Sequence, residues 1–243
     1  MKQKLSPTRQ MQHPCSNSPM LFEPTSRSER FLRAQPWFLG LGSAAQQQVL
    51  DNSFILHAQR RQVVLNDNEP TQGWYAVIEG LVKLSARGPS GRRSDYAGVA
   101  AGEWFGEGTV LKHAIRRYQA IALRDTDLLC VPSATFHALA QRDLGFNQFL
   151  VERLNLRLAQ AMAMVEAGRT RSPEQRVALA LSRLFWNRLR QLDLTQDEVA
   201  SLAGMSRQTA NRALCELQER GIISQTFNRI KVLDDDALSG LLS

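Results

Sequence analysis

Between Thr195 and Arg220 the chain gathers Ser206, Arg207, Gln208, Thr209, Asn211 and Arg212 at what the spacing predicts is the start of a helix. Ala210, Ala213, Leu214 and Leu217 recur three and four residues apart, so they share one face and leave Arg207, Gln208, Asn211, Arg212 and Cys215 on the other. That outer face has the chemistry of a major-groove reader. Arginine can grip guanine O6 and N7 with two hydrogen bonds, Gln and Asn can pair with adenine or other base edges, and Ser206 and Thr209 can donate to phosphates. Cys215 lies seven residues after Gln208. Oxidation of its thiol would set negative charge against phosphate, a redox candidate weighed against an inert cysteine with no neighbour that clearly depresses its pKa.

Such a helix needs a scaffold, and the flanking residues predict one. Thr195-Gln196-Asp197-Glu198 has the pattern of a capping box, in which the Thr hydroxyl and the Glu carboxylate satisfy each other's backbone N–H groups. Gly204 permits the left-handed backbone of a tight turn, Ser206 is a good cap for the next helix, and Ala200 leaves room where two helices cross. Gly221-Ile222-Ile223-Ser224 and Arg229-Ile230-Lys231-Val232 then read as a hairpin. Together these predict a winged helix-turn-helix over residues 169–243, entered through a hinge at Gly168–Pro173 and a helix from Glu174 to Leu189.

Upstream, Leu144, Asn147, Val151, Leu154, Leu158, Ala161, Val165 and Gly168 alternate spacings of three and four, a heptad seam flanked by Arg153, Arg157 and Gln160. Spacing alone fits either a two-helix interface or a helix packed on its own domain. A symmetric DNA reader needs a dimer axis, which favours a dimerisation helix over 143–168. From Phe54 to Val131, short β-rich runs separated by Gly80, Gly91, Gly98, Gly102, Gly106 and Gly108 predict a β-barrel or roll, preceded by short helices, within 29–142. Residues 1–28, rich in Gln, Ser, Pro, Thr and Arg, read as a disordered arm. The fold class is α+β.

Composition adds bounds rather than a function. The formal charge is +7, yet basic residues outnumber acidic ones by 6 to 2 over residues 1–34 and only 11 to 9 over 169–243, so basicity does not single out the DNA-reading segment. Cys15, Cys130 and Cys215 are scattered and lack metal-ligand spacing, and His13, His57, His113 and His137 form no ligand motif, which predicts no metal and a reducing cytosol. No apolar run nears the roughly 18 residues a membrane span needs, so the expected setting is cytoplasmic. Neither a Ser/His/Asp set, an HExxH nor a GxxxxGK[ST] motif is present, which argues against an enzyme or an enzyme-linked scaffold.

The segment Ser206-Arg207-Gln208-Thr209-Ala210-Asn211-Arg212 resembles the recognition helix of the Crp/Fnr superfamily, and Gly102-Glu103-Trp104-Phe105-Gly106-Glu107 resembles the signature of its cyclic-nucleotide-binding β-roll. The resemblance runs from about Phe31 to Val232. It implies a homodimeric transcriptional regulator that reads a palindrome in double-stranded DNA, with Arg207, Gln208 and Arg212 on bases and RNA polymerase as a further partner. It also implies an effector site at Gly106, Glu107, Arg116, Arg117, Ala161 and Met162. There the pattern departs from cyclic-AMP-binding members: Arg116 keeps the phosphate-binding arginine, but Arg117-Tyr118 replaces a Ser-Ala pair and Ala161-Met162 replaces a Thr-Ser pair. Two lost polar contacts, at about 0.5–1.5 kcal/mol each, predict at least a roughly tenfold weaker affinity for cyclic AMP. The expectations left open are a nucleotide-type effector of another kind, a ligand-independent regulator, and thiol control at Cys215.

Overall fold

The computed structural model describes residues 26–88, 91, 93–187 and 189–243. Most of the predicted arm, with Cys15, lies outside these residues; Ser26, Arg27 and Ser28, assigned to that arm, instead open a helix. In chain order the elements are α1 (Ser26–Arg33), α2 (Pro36–Leu39), α3 (Ser43–Asn52), β1 (Phe54–Ala58), β2 (Val63–Leu65), β3 (Gly73–Glu79), β4 (Leu81–Arg87), β5 (Arg93–Ala100), β6 (Trp104–Phe105) and α4 (Glu107–Leu111). These are followed by β7 (Gln119–Ala122), β8 (Thr126–Pro132), α5 (Ser133–Arg142), the long α6 (Leu144–Thr170), α7 (Pro173–Leu181), α8 (Arg183–Trp186) and β9 (Gln191–Leu192). The chain ends with α9 (Gln196–Leu202), α10 (Arg207–Glu219), β10 (Ile223–Thr226), β11 (Arg229–Val232) and α11 (Asp235–Gly240). Among the described residues no helix is long and apolar enough to cross a membrane.

Two antiparallel sheets, ordered β1-β8-β3-β6 and β2-β7-β4-β5, face one another as a β-roll. Alternation along β3 explains how both faces of its sheet are buried. Tyr75 and Val77 point between the sheets with Val82, Leu84, Val99 and Leu128, whereas Trp74 and Ala76 point toward the helices. On the helical side Trp37, Trp74, Trp104, Phe136 and Phe146 form an aromatic core, with Trp74 and Trp104 stacked at 3.7 Å between centroids. Gly73 admits no side chain, because a Cβ there would fall 2.3 Å from the Val131 carbonyl oxygen.

Asp143 caps α6 by accepting from the Phe146 N–H at 2.7 Å. The helix stops where Ser172 and Pro173 start the next one, since a proline disfavours helical backbone in the residue before it. Ser172 and Gln175 complete a capping box there. The predicted single helix from Glu174 to Leu189 is overturned: Ser182 is extended and separates α7 from α8. The break turns Trp186 inward, where its Nε1 donates to the Ala180 carbonyl at 2.6 Å and its ring lies so close to Gly98 that a Cβ there would approach within 2.5 Å.

The C-terminal unit carries a third sheet, β10-β11-β9, and is docked on the roll. Leu81, Ala100 and Leu123 from the roll share one apolar cluster with Val177, Leu181, Trp186, Leu194, Val199 and Leu214. Around it, Arg124 pairs with Glu198 through contacts of 3.0 and 3.1 Å, and Ser201 donates to Asp95 at 2.5 Å.

Candidate nucleic-acid interface

The α9–turn–α10 unit is held by local hydrogen bonds that the sequence pattern predicts. The Glu198 N–H donates to the Thr195 hydroxyl at 3.1 Å, and the Thr195 N–H donates to the Glu198 carboxylate at 2.8 Å. Gly204 is left-handed (φ 64°), and the Met205 N–H closes the turn on the Ala200 carbonyl at 2.9 Å. Helix ends leave carbonyls without intrahelical donors. Here Arg176 of α7 supplies them, donating to the Ala203 and Gly204 oxygens at 2.6 and 2.7 Å.

Ser206 then caps α10 by accepting from the Thr209 N–H at 3.2 Å, and the Ser206 and Thr209 hydroxyls lie 2.8 Å apart. Ala210, Ala213, Leu214 and Leu217 are buried beneath, while Ser206, Arg207, Gln208, Arg212 and Cys215 are exposed and Thr209 and Asn211 are half-buried. Arg207 approaches Asp197 at 3.3 Å, but both are well exposed, and a pair of that kind holds a side chain by no more than about 1 kcal/mol. Its guanidinium is free to turn outward.

Asn211 differs from its neighbours. Its Nδ2 donates to Gln196 Oε1 at 2.6 Å, and the Cys215 thiol points to its Oδ1 at 3.6 Å. Gln196 in turn donates to Gln225 Oε1 at 3.3 Å, and the Gln225 N–H donates to Gln218 Oε1 at 3.0 Å. A line of amides therefore ties α10 to the start of α9 and to the β10–β11 hairpin. Sequence reasoning missed Gln196, Gln218 and Gln225, and it missed β9, a two-residue strand that no periodicity signals.

The residues read as an effector site divide into two groups. Gly106 (φ 95°), Glu107 and Arg116 gather around Tyr75 and Tyr118: Arg116 lies 5.8 Å over the Tyr75 ring and donates to the Asn66 carbonyl at 3.0 Å, and the Tyr118 hydroxyl lies against Gly106. Arg116 and Glu107 are 2% and 4% exposed, and one Glu107 oxygen, Oε2, is buried with no hydrogen-bond partner among the described residues. Burial raises the Tyr118 pKa, with Arg116 opposing and Glu107 adding to the rise. Arg117, by contrast, is exposed, and Ala161 and Met162 lie on the exposed face of α6, so within one chain these three stand apart from the cluster.

The cluster receives instead Arg157, one of the polar residues that flank the predicted seam. Arg157 of α6 donates to the Trp104 carbonyl at 2.9 Å and to Gln160 Oε1 at 2.9 Å, and its Nε stands 3.9 Å from Glu107. Arg153 pairs with Glu103 at 2.7 Å, and Gln160 donates to the Leu184 carbonyl at 2.7 Å. These three polar residues therefore lie on the inward side of the helix, along with the buried Phe146, Leu150 and Ala167. Its exposed face is the apolar stripe Leu144, Val151, Leu154, Leu158, Met162 and Val165, from 38% exposed at Leu154 to 74% at Leu144. Asn147 leaves the predicted seam, because its amide donates to the Ala140 and Asp143 carbonyls at 2.6 and 2.8 Å.

Comparison with known proteins agrees with this geometry. Residues 55–143 match the cyclic nucleotide-binding domain model, and residues 175–241 match the Crp-like helix-turn-helix domain model. The chain is 33% identical over 153 residues to the cyclic AMP receptor protein of Thermus thermophilus, covering 63% of this chain and 71% of that one. It is 30% identical over 179 residues to the transcriptional regulator SdrP of the same organism, covering 71% and 85%. The structure of FixK2 from Bradyrhizobium japonicum shares the fold, with a TM-score of 0.67 at 23% identity over 79% of this chain and 98% of that one.

Proposed function

The chain belongs to the Crp/Fnr superfamily of transcriptional regulators, and from that premise we propose that it reads a palindromic DNA site as a homodimer through Ser206, Arg207, Gln208, Thr209, Asn211 and Arg212. The observation that carries this reading is the outer face of α10, where Arg207, Gln208 and Arg212 project into solvent from a helix whose other face is buried. Arg207 and Gln208 reach base edges, Arg212 reaches a base or the backbone, and Ser206 and Thr209 meet phosphate. Asn211, held by Gln196, contributes the amide edge that this bond leaves open. The apolar stripe on α6 supports the dimer, since a second copy of the helix would cover it and set two recognition helices about 34 Å apart in successive major grooves. RNA polymerase is the further partner of the bound dimer.

Selection of bound duplexes from a random pool tests this reading. The expected product is an inverted repeat, and Arg207→Ala should weaken binding to it by about 1–3 kcal/mol while relaxing preference at one symmetric base pair. Binding that is independent of sequence, or an equal loss on all sequences, would overturn it.

A second reading concerns the roll. Glu107 Oε2, buried without a donor and close to the buried Arg116, suits a ligand that offers a hydroxyl and a phosphate. Such an effector gates DNA binding, and it has to displace Tyr118 and Arg157 from the cluster. Ala161 and Met162 offer no hydroxyl to an adenine, which disfavours cyclic AMP. Titration calorimetry should show no cyclic AMP binding tighter than about 100 μM, or roughly −5.5 kcal/mol. Tight binding that also strengthened operator affinity would reverse this reading.

A further inference from the structure

The hairpin β10–β11 ends in a turn whose composition is unusual. Thr226 pairs with Arg229, so Phe227 and Asn228 alone make the connection, and Asn228 takes the left-handed position (φ 58°). Asparagine suits that position. Phenylalanine has no turn preference to explain it, and among the described residues it has no packing partner either, being 94% exposed. A lone exposed apolar residue is ordinary on a protein surface, so the ring acquires meaning only from its place.

That place is beside the DNA-reading helix. One groove runs between the hairpin and the start of α10, lined by Gln196, Asp197, Arg207, Gln225, Phe227 and Asn228. Its one carboxylate, Asp197, is paired with Arg207. The hairpin's other neighbouring acid, Asp193, is paired with Arg229 at 2.9 Å, and Lys231 is exposed on the same hairpin. The line of amides from Asn211 through Gln196 to Gln225 fixes the hairpin relative to α10. The hairpin tip that carries the ring is thus held at a set offset from α10, on a surface continuous with the proposed DNA interface.

We infer that Phe227 is a specificity-determining residue of this regulator, an apolar wedge that enters the minor groove flanking the half-site read by α10. The inference rests on the DNA-reading role of α10. With α10 in the major groove, the neighbouring strand and the minor groove beyond it lie under the hairpin tip. Apolar side chains inserted there partly unstack a base step, and pyrimidine–purine steps yield most easily. The wedge therefore reads deformability where α10 reads base edges, and the selected flanks carry a TA or CA/TG step.

The test uses full-length protein and the duplex obtained by selection, prepared with about ten flanking base pairs on each side or trimmed flush with the half-sites. Phe227→Ala should bind the long duplex about tenfold more weakly, bind the trimmed duplex like the wild type, and lose the flank preference on reselection. Phe227→Trp should retain both affinity and preference. A 2-aminopurine placed in the flank should brighten on binding of the wild type and stay quenched with Phe227→Ala. Equal affinity of Phe227→Ala and wild type on the long duplex overturns the inference, as does an equal loss on both lengths. Unchanged DNA binding with lost transcription in a reconstituted assay also overturns it and assigns the ring to the polymerase. Failure of the α10 reading is distinguishable, because it would abolish the Arg207→Ala effect on the trimmed duplex, which the wedge does not touch.

Discussion

Along the middle of α6 the apolar Val151, Leu154, Leu158, Met162 and Val165 are open to water, whereas the polar Arg153, Arg157 and Gln160 are turned toward the protein's own interior. A helix on a globular surface ordinarily does the reverse. Each face is explained by what it meets. The inner one meets the Trp104 and Leu184 carbonyls and the Glu103 and Glu107 carboxylates, and so it joins the roll, the long helix and the first helices of the winged unit by directional bonds. The outer one meets nothing among the described residues. Burial of such a stripe against a second copy is non-directional and large, while the inner bonds fix geometry and contribute less. In the proposed dimer, strength of association and precision of orientation thus reside on opposite sides of one helix.

Breaking the outer face should have the largest effect. Leu158→Asp puts a carboxylate in the middle of the stripe and should convert the dimer to a monomer at micromolar concentration in sedimentation. Operator affinity should then fall at least about a hundredfold, because two half-sites are no longer engaged together. A variant that stays dimeric and binds normally would show that the stripe is not the dimer surface. Breaking the inner face should cost less. Arg157→Ala removes the guanidinium 3.9 Å from the buried Glu107, a loss of about 3 kcal/mol, which for a protein of this size lowers the melting midpoint by roughly 6–12 °C. Arg157→Leu combined with Glu107→Gln should recover most of it, since the uncompensated charge is gone. If the double variant melts as low as the single one, the Arg157 role is packing rather than charge.

These two faces also show what local sequence signals carry. The helix-turn-helix could be recognised because its parts lie a few residues apart: Thr195 with Glu198, Ala200 with Gly204, Ser206 with Thr209. The spacing along α6 likewise separated an apolar stripe from a polar one. It could not say which would be buried, because that depends on the Trp104 carbonyl and Glu107, some 50 residues away. Polarity marks Arg153, Arg157 and Gln160 as flanks of the stripe, but the spacing carries no sign of the partners they meet inside. Asn211 shows the same limit, its partner Gln196 being on another helix. The break at Ser182 escaped notice because Leu181 and Leu184 keep a helical spacing across it, while its cause, the seat of Trp186 on Gly98, comes from the distant strand β5.

The mildest test of the directional side is pH, acting on Asp95 at the junction between roll and winged unit. Burial pushes its carboxyl pKa up, but hydrogen bonds from Lys83 and Ser201 outweigh this and hold it below the ordinary carboxylate value. The Lys83 and Ser201 contacts are 2.7 and 2.5 Å. A carboxyl whose pKa is lower folded than unfolded stabilises the protein fully above the unfolded value, near 3.9, and that stabilisation drains away as pH falls through the folded value. Asp95→Asn removes the charge at every pH. Its melting midpoint should therefore lie below that of the wild type at pH 7 and pH 5, and the gap should narrow as the pH is lowered below about 4. A gap that is the same at pH 3 and pH 7 would mean that the ionised carboxylate does not hold the two units together, and that their docking rests on the apolar cluster around Trp186 and Val199 alone.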